Sequence, residues 1–218
     1  MGDKKLNNKF QDATIDGQKI TAYQLGKNSN DWRNGAGTIS DGMDTNKNSH
    51  PTRKLTDSAK NIVIYFSRSG STELLASKIA KKTNADILEI TVKDPYPSNY
   101  PKTLSRANFE RENMDYPELN MELPNLDQYK TVYLGYPIWA MTLSHPMHSF
   151  LNTYGSQLSS KKIAPFMSEG GYGQGDSVQV VKEILKQQGA INNTFTSSLV
   201  VDGNKVDHSD KQISDWLR

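Results

Sequence analysis

From residue 61 onward, short runs of consecutive apolar residues alternate with stretches in which apolar residues return every three or four positions. The run Ile62, Val63, Ile64, Tyr65, Phe66 has no polar interruption, as a strand covered on both faces requires, and it predicts a first strand over 61–67. Leu75, Ala76, Ile79 and Ala80 then fall at helical spacing, and further strands are predicted over 87–92, 131–136, 163–168 and 194–201. Helices are predicted at 146–152, 176–188 and 207–217. The second has capping-box spacing at Asp176 and Gln179 and a closing Gly189, and the third places Ile213, Trp216 and Leu217 on one face. Strands separated by helices make parallel neighbours joined by right-handed crossovers, so the fold class is α/β: a doubly wound, five-stranded parallel sheet.

Residues 1–59 follow a different pattern. They are rich in Asn, Asp, Gly, Ser and Lys, with scattered apolar residues, the composition of an extension that is partly ordered at most, ahead of a domain over 60–218. Within it, Asp16-Gly17 sits between Ala13-Thr14-Ile15 and Lys19-Ile20-Thr21-Ala22-Tyr23, which predicts a hairpin with a type I′ turn. A lone hairpin is marginal in water, so it either docks on the main domain or stays a tether. Removal of residues 1–55 is expected to leave every strand of the sheet in place.

Composition narrows the function. A length of 218 residues accommodates one α/β domain and an appendage. The net charge of +2, with both signs interspersed, does not suggest a polyanion-binding surface, so no nucleic-acid partner is expected. There is no cysteine, which excludes disulfides, thiolate metal sites and cysteine nucleophiles, so any redox chemistry has to come from a bound cofactor. No apolar run reaches the ~20 residues of a membrane span, and the N-terminus has no apolar signal region. The expected location is cytoplasmic, or extracytoplasmic if a leader has been removed.

Three predicted loops carry candidate chemistry. After the first strand comes Ser67-Arg68-Ser69-Gly70-Ser71-Thr72 and then a helix, whose free N–H groups and positive dipole end, with four hydroxyls, make an anion cradle. The Gly-Lys-Ser/Thr ending of a Walker loop and the G-x-G-x-x-G of a dinucleotide fold are both missing. The plain alternative is a Ser-rich cap that binds nothing. After the third strand, Tyr136-Pro137-Ile138-Trp139-Ala140-Met141-Thr142-Leu143 offers a Trp that either stacks on a flat ring or plugs the sheet edge. After the fourth, Ser168-Glu169-Gly170-Gly171-Tyr172-Gly173-Gln174-Gly175-Asp176 lets backbone N–H groups face a ligand edge while Tyr172 covers its face. His145 and His148 have no carboxylate at matching spacing for a metal, and no G-x-S-x-G elbow marks a hydrolase.

Residues 60–218 resemble the flavodoxin family, in its compact bacterial branch without the long insertion in the last strand. The loop of residues 67–72 is similar to the family's T/S-x-T/S-G-x-T phosphate loop. The segments Lys93-Asp94-Pro95-Tyr96-Pro97-Ser98-Asn99-Tyr100, Arg106 to Glu110 and Tyr116-Pro117-Glu118-Leu119 resemble that branch's connection between strands two and three. Gly135-Tyr136-Pro137-Ile138-Trp139 and the glycine-rich loop complete the likeness. The resemblance implies strand order 2-1-3-4-5 and bound FMN. Its phosphate would lie on Ser67, Ser69, Gly70, Ser71 and Thr72, with Arg68 in the same loop. Its ring would be lined by Pro137, Ile138, Trp139 and Ala140, and its pyrimidine end would meet Gly170, Gly171, Tyr172 and Gly173. Trp139-Ala140-Met141 stands where the branch has Trp-Trp-Gly, and Ser144 where a Pro is common. The implied role is electron transport or flavin-dependent reduction, quinone reductase-like, with a redox partner protein or a small electron acceptor. Equal numbers of acidic and basic residues over 60–218 make charge steering of a partner weak. The alternative is a flavodoxin-fold interaction module that has lost the flavin.

Overall fold

The computed structural model describes residues 13–15, 18–20, 52–68, 70–97 and 99–218. Its centre is a parallel sheet of β4 (Asn61–Tyr65), β5 (Asp86–Glu89), β6 (Thr131–Trp139), β8 (Lys162–Glu169) and β10 (Leu199–Asp202), in the order β10-β8-β6-β4-β5. That is the expected order 2-1-3-4-5. The predicted fifth strand is broken: β9 (Thr194–Phe195) pairs with the start of β8 and β10 with its end, both in parallel.

Helices cover both faces. On one, α1 (Ser71–Thr83), a 3-10 turn (Gly203–His208) and α5 (Asp210–Trp216) close over Val63, Tyr65, Phe166 and Val201. On the other, α3 (His145–Tyr154) and α4 (Ser177–Gln187) close over Ile62, Ile64, Val132 and Leu134. Alternate residues of β4 thus enter opposite cores, which is why its sequence is apolar throughout. α4 starts at Asp176 without a side-chain cap, and Gln179 instead donates to Glu183 at 2.8 Å, so the expected capping box does not form. Gly189 does close the helix, at φ 78°.

Two additions were not expected. A helix, α2 (Tyr100–Asn113), fills the crossover between β5 and β6, begun by Asn99, whose side chain accepts from the Lys102 N–H at 3.1 Å. A short antiparallel strand, β3 (Arg53–Lys54), extends the sheet edge on β5. Removal of residues 1–55 would therefore take a strand away, against the expectation from the sequence. The hairpin of β1 (Ala13–Ile15) and β2 (Gln18–Ile20) pairs Ile15 with Gln18 and lies against α1; its two turn residues fall outside the described ones. Among the described residues, no helix is long and apolar enough to cross a membrane.

Candidate functional site

Because β4, β6 and β8 are adjacent and parallel, the turns after them meet at one edge of the sheet. There the chain leaves β4 for β5 on one side and later returns to β6 on the other, a topological switch point.

The first turn is built around Gly70, whose φ of 105° is open to glycine at little cost. Among the described residues no side chain caps α1, and the first of its N–H groups to be bonded within the helix is that of Leu74, to Gly70 O at 2.9 Å. An uncapped helix start of this kind, at the mouth of a cleft, fits an anion such as a phosphate monoester. The hydroxyls are less available than the sequence suggests. Ser67 Oγ accepts the Gly70 N–H at 3.0 Å, Ser71 Oγ donates to Gly203 O at 3.0 Å, and the Thr72 and Ser168 hydroxyls lie 2.8 Å apart. Arg68 lies over the ring of Tyr100 at 5.8 Å, and Ser69 falls outside the described residues.

The second segment is not the loop expected from the sequence. β6 runs on through Pro137, Ile138 and Trp139, then doubles back into β7 (Thr142–Leu143). Ala140 and Met141 form the two-residue connection with φ of 49° and 66°, the sign pattern of a type I′ turn without its usual Asn or Gly. Trp139 is half-buried. Phe66, Tyr96 and His145 stand nearly perpendicular to it, with ring centroids at 5.8, 5.0 and 5.6 Å.

In the third loop, Gly171 and Gly173 have φ of 103° and 76°, and their N–H groups donate to the Glu169 carboxylate, that of Gly173 at 2.8 Å. Gly170 is half-buried beside them and Tyr172 is 61% exposed. The Asp176 N–H donates to Met141 O at 3.1 Å, tying the third loop to the second. Gly175 packs so closely there that a Cβ would come within 1.7 Å of Met141 O.

A model of the family described as flavodoxin matches residues 60–217. The chain belongs to the flavodoxin family. Among solved structures, a protein assigned as a flavoprotein from Bacteroides uniformis shares 23% identity at TM-score 0.60, over 73% of this chain and 97% of that one. Another so assigned, from Bacteroides eggerthii, shares 26% at 0.55, over 72% and 98%. A flavoprotein in complex with FMN from Lactobacillus acidophilus shares 20% at 0.58, over 74% and 100%. No curated protein matches the chain.

Behind Trp139 the chain carries a buried polar cluster that the sequence did not reveal. Glu110, on α2, accepts from Tyr96 Oη at 2.6 Å, from Arg106 Nε at 2.7 Å and from His145 Nδ1 at 2.7 Å. Burial alone would raise the Glu110 pKa, but the bonds from His145, Tyr96 and Arg106 outweigh it and hold the carboxyl below its ordinary value. The same carboxylate, after burial, pushes the Tyr96 phenol up. Arg106 also stacks over the Tyr96 ring at 4.1 Å and bonds the carbonyl and carboxylate of Asp94. His148 stacks on Tyr116 at 3.9 Å, and burial, then the nearby His145, lower its pKa to about 4. His145 is thus committed to a carboxylate and His148 to a ring and Asn152. Met141 keeps a positive φ of 66° although it carries a side chain.

Proposed function

We propose that this protein binds FMN non-covalently across the three loops and uses it to pass electrons to a redox partner protein or a small acceptor. The observation that carries this is the convergence, at neighbouring strand ends, of the uncapped start of α1, the Trp139 hairpin and the glycine-rich loop, joined by the Thr72–Ser168 and Met141–Asp176 hydrogen bonds. The solved Lactobacillus acidophilus flavoprotein of the same fold was crystallised with FMN, which supports the choice of ligand.

FMN, when bound, supplies the redox chemistry; the chain supplies binding, orientation and shielding. The first-turn N–H groups of α1, with the proton left over on the Thr72–Ser168 pair, hold the phosphate. Pro137, Ile138, Trp139 and Ala140 line the ring, with Trp139 held upright by Phe66, Tyr96 and His145. Gly170, Gly171, Tyr172 and Gly173 meet the pyrimidine end once Glu169 releases the N–H groups of Gly171 and Gly173. Carriage requires no catalytic acid or base, and the buried Glu110 network serves to fix the wall behind Trp139.

One observation favours a second function, that of an interaction module without flavin. The Ser71 hydroxyl and the Gly171 and Gly173 N–H groups are all satisfied by the protein itself. Absorbance of the purified protein, followed by titration of FMN against its fluorescence, separates the two. Flavin bands, or quenching that saturates at one FMN per chain, support the carrier or reductase. A colourless protein that leaves FMN fluorescence unchanged supports the module.

A further inference from the structure

Glu73 is the third residue of α1, in the turn whose N–H groups form the cradle, yet its side chain turns inward and is 6% exposed. Its Oε1 accepts from Thr52 Oγ1 at 3.1 Å and from Tyr65 Oη at 3.2 Å. Both donors are neutral, and among the described residues no cation pairs with it. The titratable groups facing it are Tyr65 on β4 and Glu89 on β5, which is 3% exposed and accepts the Thr52 N–H at 2.8 Å. Lys78, one turn further along α1, is directed away to Asp210 at 2.7 Å.

Burial raises the Glu73 pKa, while the bonds donated by Thr52 and Tyr65 work against that rise without the help of a cation. Ionised, Glu73 would place a negative charge inside the turn whose positive potential an incoming anion also uses. The two charges oppose each other, and linkage makes the opposition reciprocal: an anion at the cradle favours the proton on Glu73, and loss of that proton weakens the anion equally.

We propose that Glu73 determines the ligand charge that the first loop accepts: protonated, it admits a dianionic phosphate monoester, and ionised, it disfavours one. This rests on the FMN assignment above and adds a specificity residue to it.

The test uses the full chain, wild type and Glu73→Gln, titrated with FMN and with riboflavin from about pH 7 to about pH 9, above the phosphate's second pKa of about 6. At the upper end Glu73→Gln is expected to bind FMN about tenfold more tightly than wild type, with riboflavin the same in both. Calorimetry in two buffers of different ionisation heat should show proton uptake on FMN binding by wild type and none by the variant. If Glu73→Gln does not fold, Tyr65→Phe removes one donor that favours the ionised carboxyl and should tighten FMN, not riboflavin, at the upper end. An FMN-to-riboflavin ratio that is the same in wild type and variant at every pH overturns the inference, as does a variant that weakens both ligands together. A wild type that binds neither ligand overturns the FMN assignment itself.

Discussion

Thr72 and Ser168 bring their side-chain hydroxyls to 2.8 Å of each other across 96 positions of sequence, both nearly inaccessible to solvent. One hydroxyl must donate and the other accept, so the pair keeps one proton unspent. It also links the start of α1 to the strand that leads into the glycine-rich loop. A bond to a charged acceptor is worth about 1.5 to 3 kcal/mol. Thr72→Val should therefore weaken FMN roughly tenfold or more while leaving riboflavin, which has no phosphate, nearly unchanged. Fluorescence titration of both ligands checks this, and equal losses would show that Thr72 serves the fold alone.

The Ala140-Met141 connection should be improvable. Both residues hold positive φ, which costs a side-chain-bearing residue about 1 to 2 kcal/mol, whereas glycine adopts it freely and gives back part of the gain as backbone entropy. Met141→Gly is expected to raise stability by about 0.5 to 1 kcal/mol, a melting temperature higher by roughly 1 to 4 °C. Gly175→Ala should do the opposite, since its Cβ would collide with the Met141 carbonyl that Asp176 already holds. Thermal unfolding of the two variants distinguishes them by sign.

How far this architecture could be read in advance depends on where the information lies. The first, third and fourth parallel strands are legible because each, like residues 62–66, is a largely apolar run; the predicted fifth contains Thr196-Ser197-Ser198, where the structure breaks it, and the order follows from the family likeness. α2 is not, because its buried positions are Thr103, Ala107 and Glu110, two of them polar, so no apolar period marks it. β3 is two charged residues whose strand character comes only from pairing with β5. At the site, the three loops are visible as glycine- and serine-rich turns, but the destinations of their polar groups are not. That Ser71 reaches Gly203 and His145 reaches Glu110 depends on packing between segments 132 and 35 positions apart, which no local pattern encodes.

The Glu110 cluster gives a pH dependence of defined sign. The folded-state pKa of Glu110 lies below its ordinary 4.5, so it binds fewer protons when folded than when unfolded in the intervening range. Its contribution to stability is full above that ordinary value and is lost as pH falls through the folded-state value. Glu110→Gln removes the charge that Arg106 and His145 face, and breaking one side of a buried pair costs about 3 kcal/mol. The difference in unfolding free energy between wild type and Glu110→Gln should be largest near neutrality and shrink as pH falls below the ordinary value. Denaturant unfolding at neutral and acid pH measures it, and a constant difference would show that the bonds act without the charge.

Glu169 and the glycine loop set up a direct competition. Its Oε2 accepts the N–H groups of Gly171 and Gly173, two of the donors assigned to the pyrimidine end of the flavin. A ligand using those donors has to displace a carboxylate that is only half-buried and hydrates readily once released. Glu169→Ala removes the competitor and, with it, a negative charge beside the ring. Since the pyrimidine end is common to FMN and riboflavin, both should bind more tightly, by about the same factor and on the order of threefold to tenfold, a gain of about 1 kcal/mol. The equal response separates Glu169 from Thr72 and Glu73, whose effects should be confined to FMN. Titrating both flavins into wild type and Glu169→Ala decides the matter. If both affinities fall instead, Glu169 is the brace that shapes the loop, and the N–H groups of Gly171 and Gly173 bind flavin only when that brace is in place.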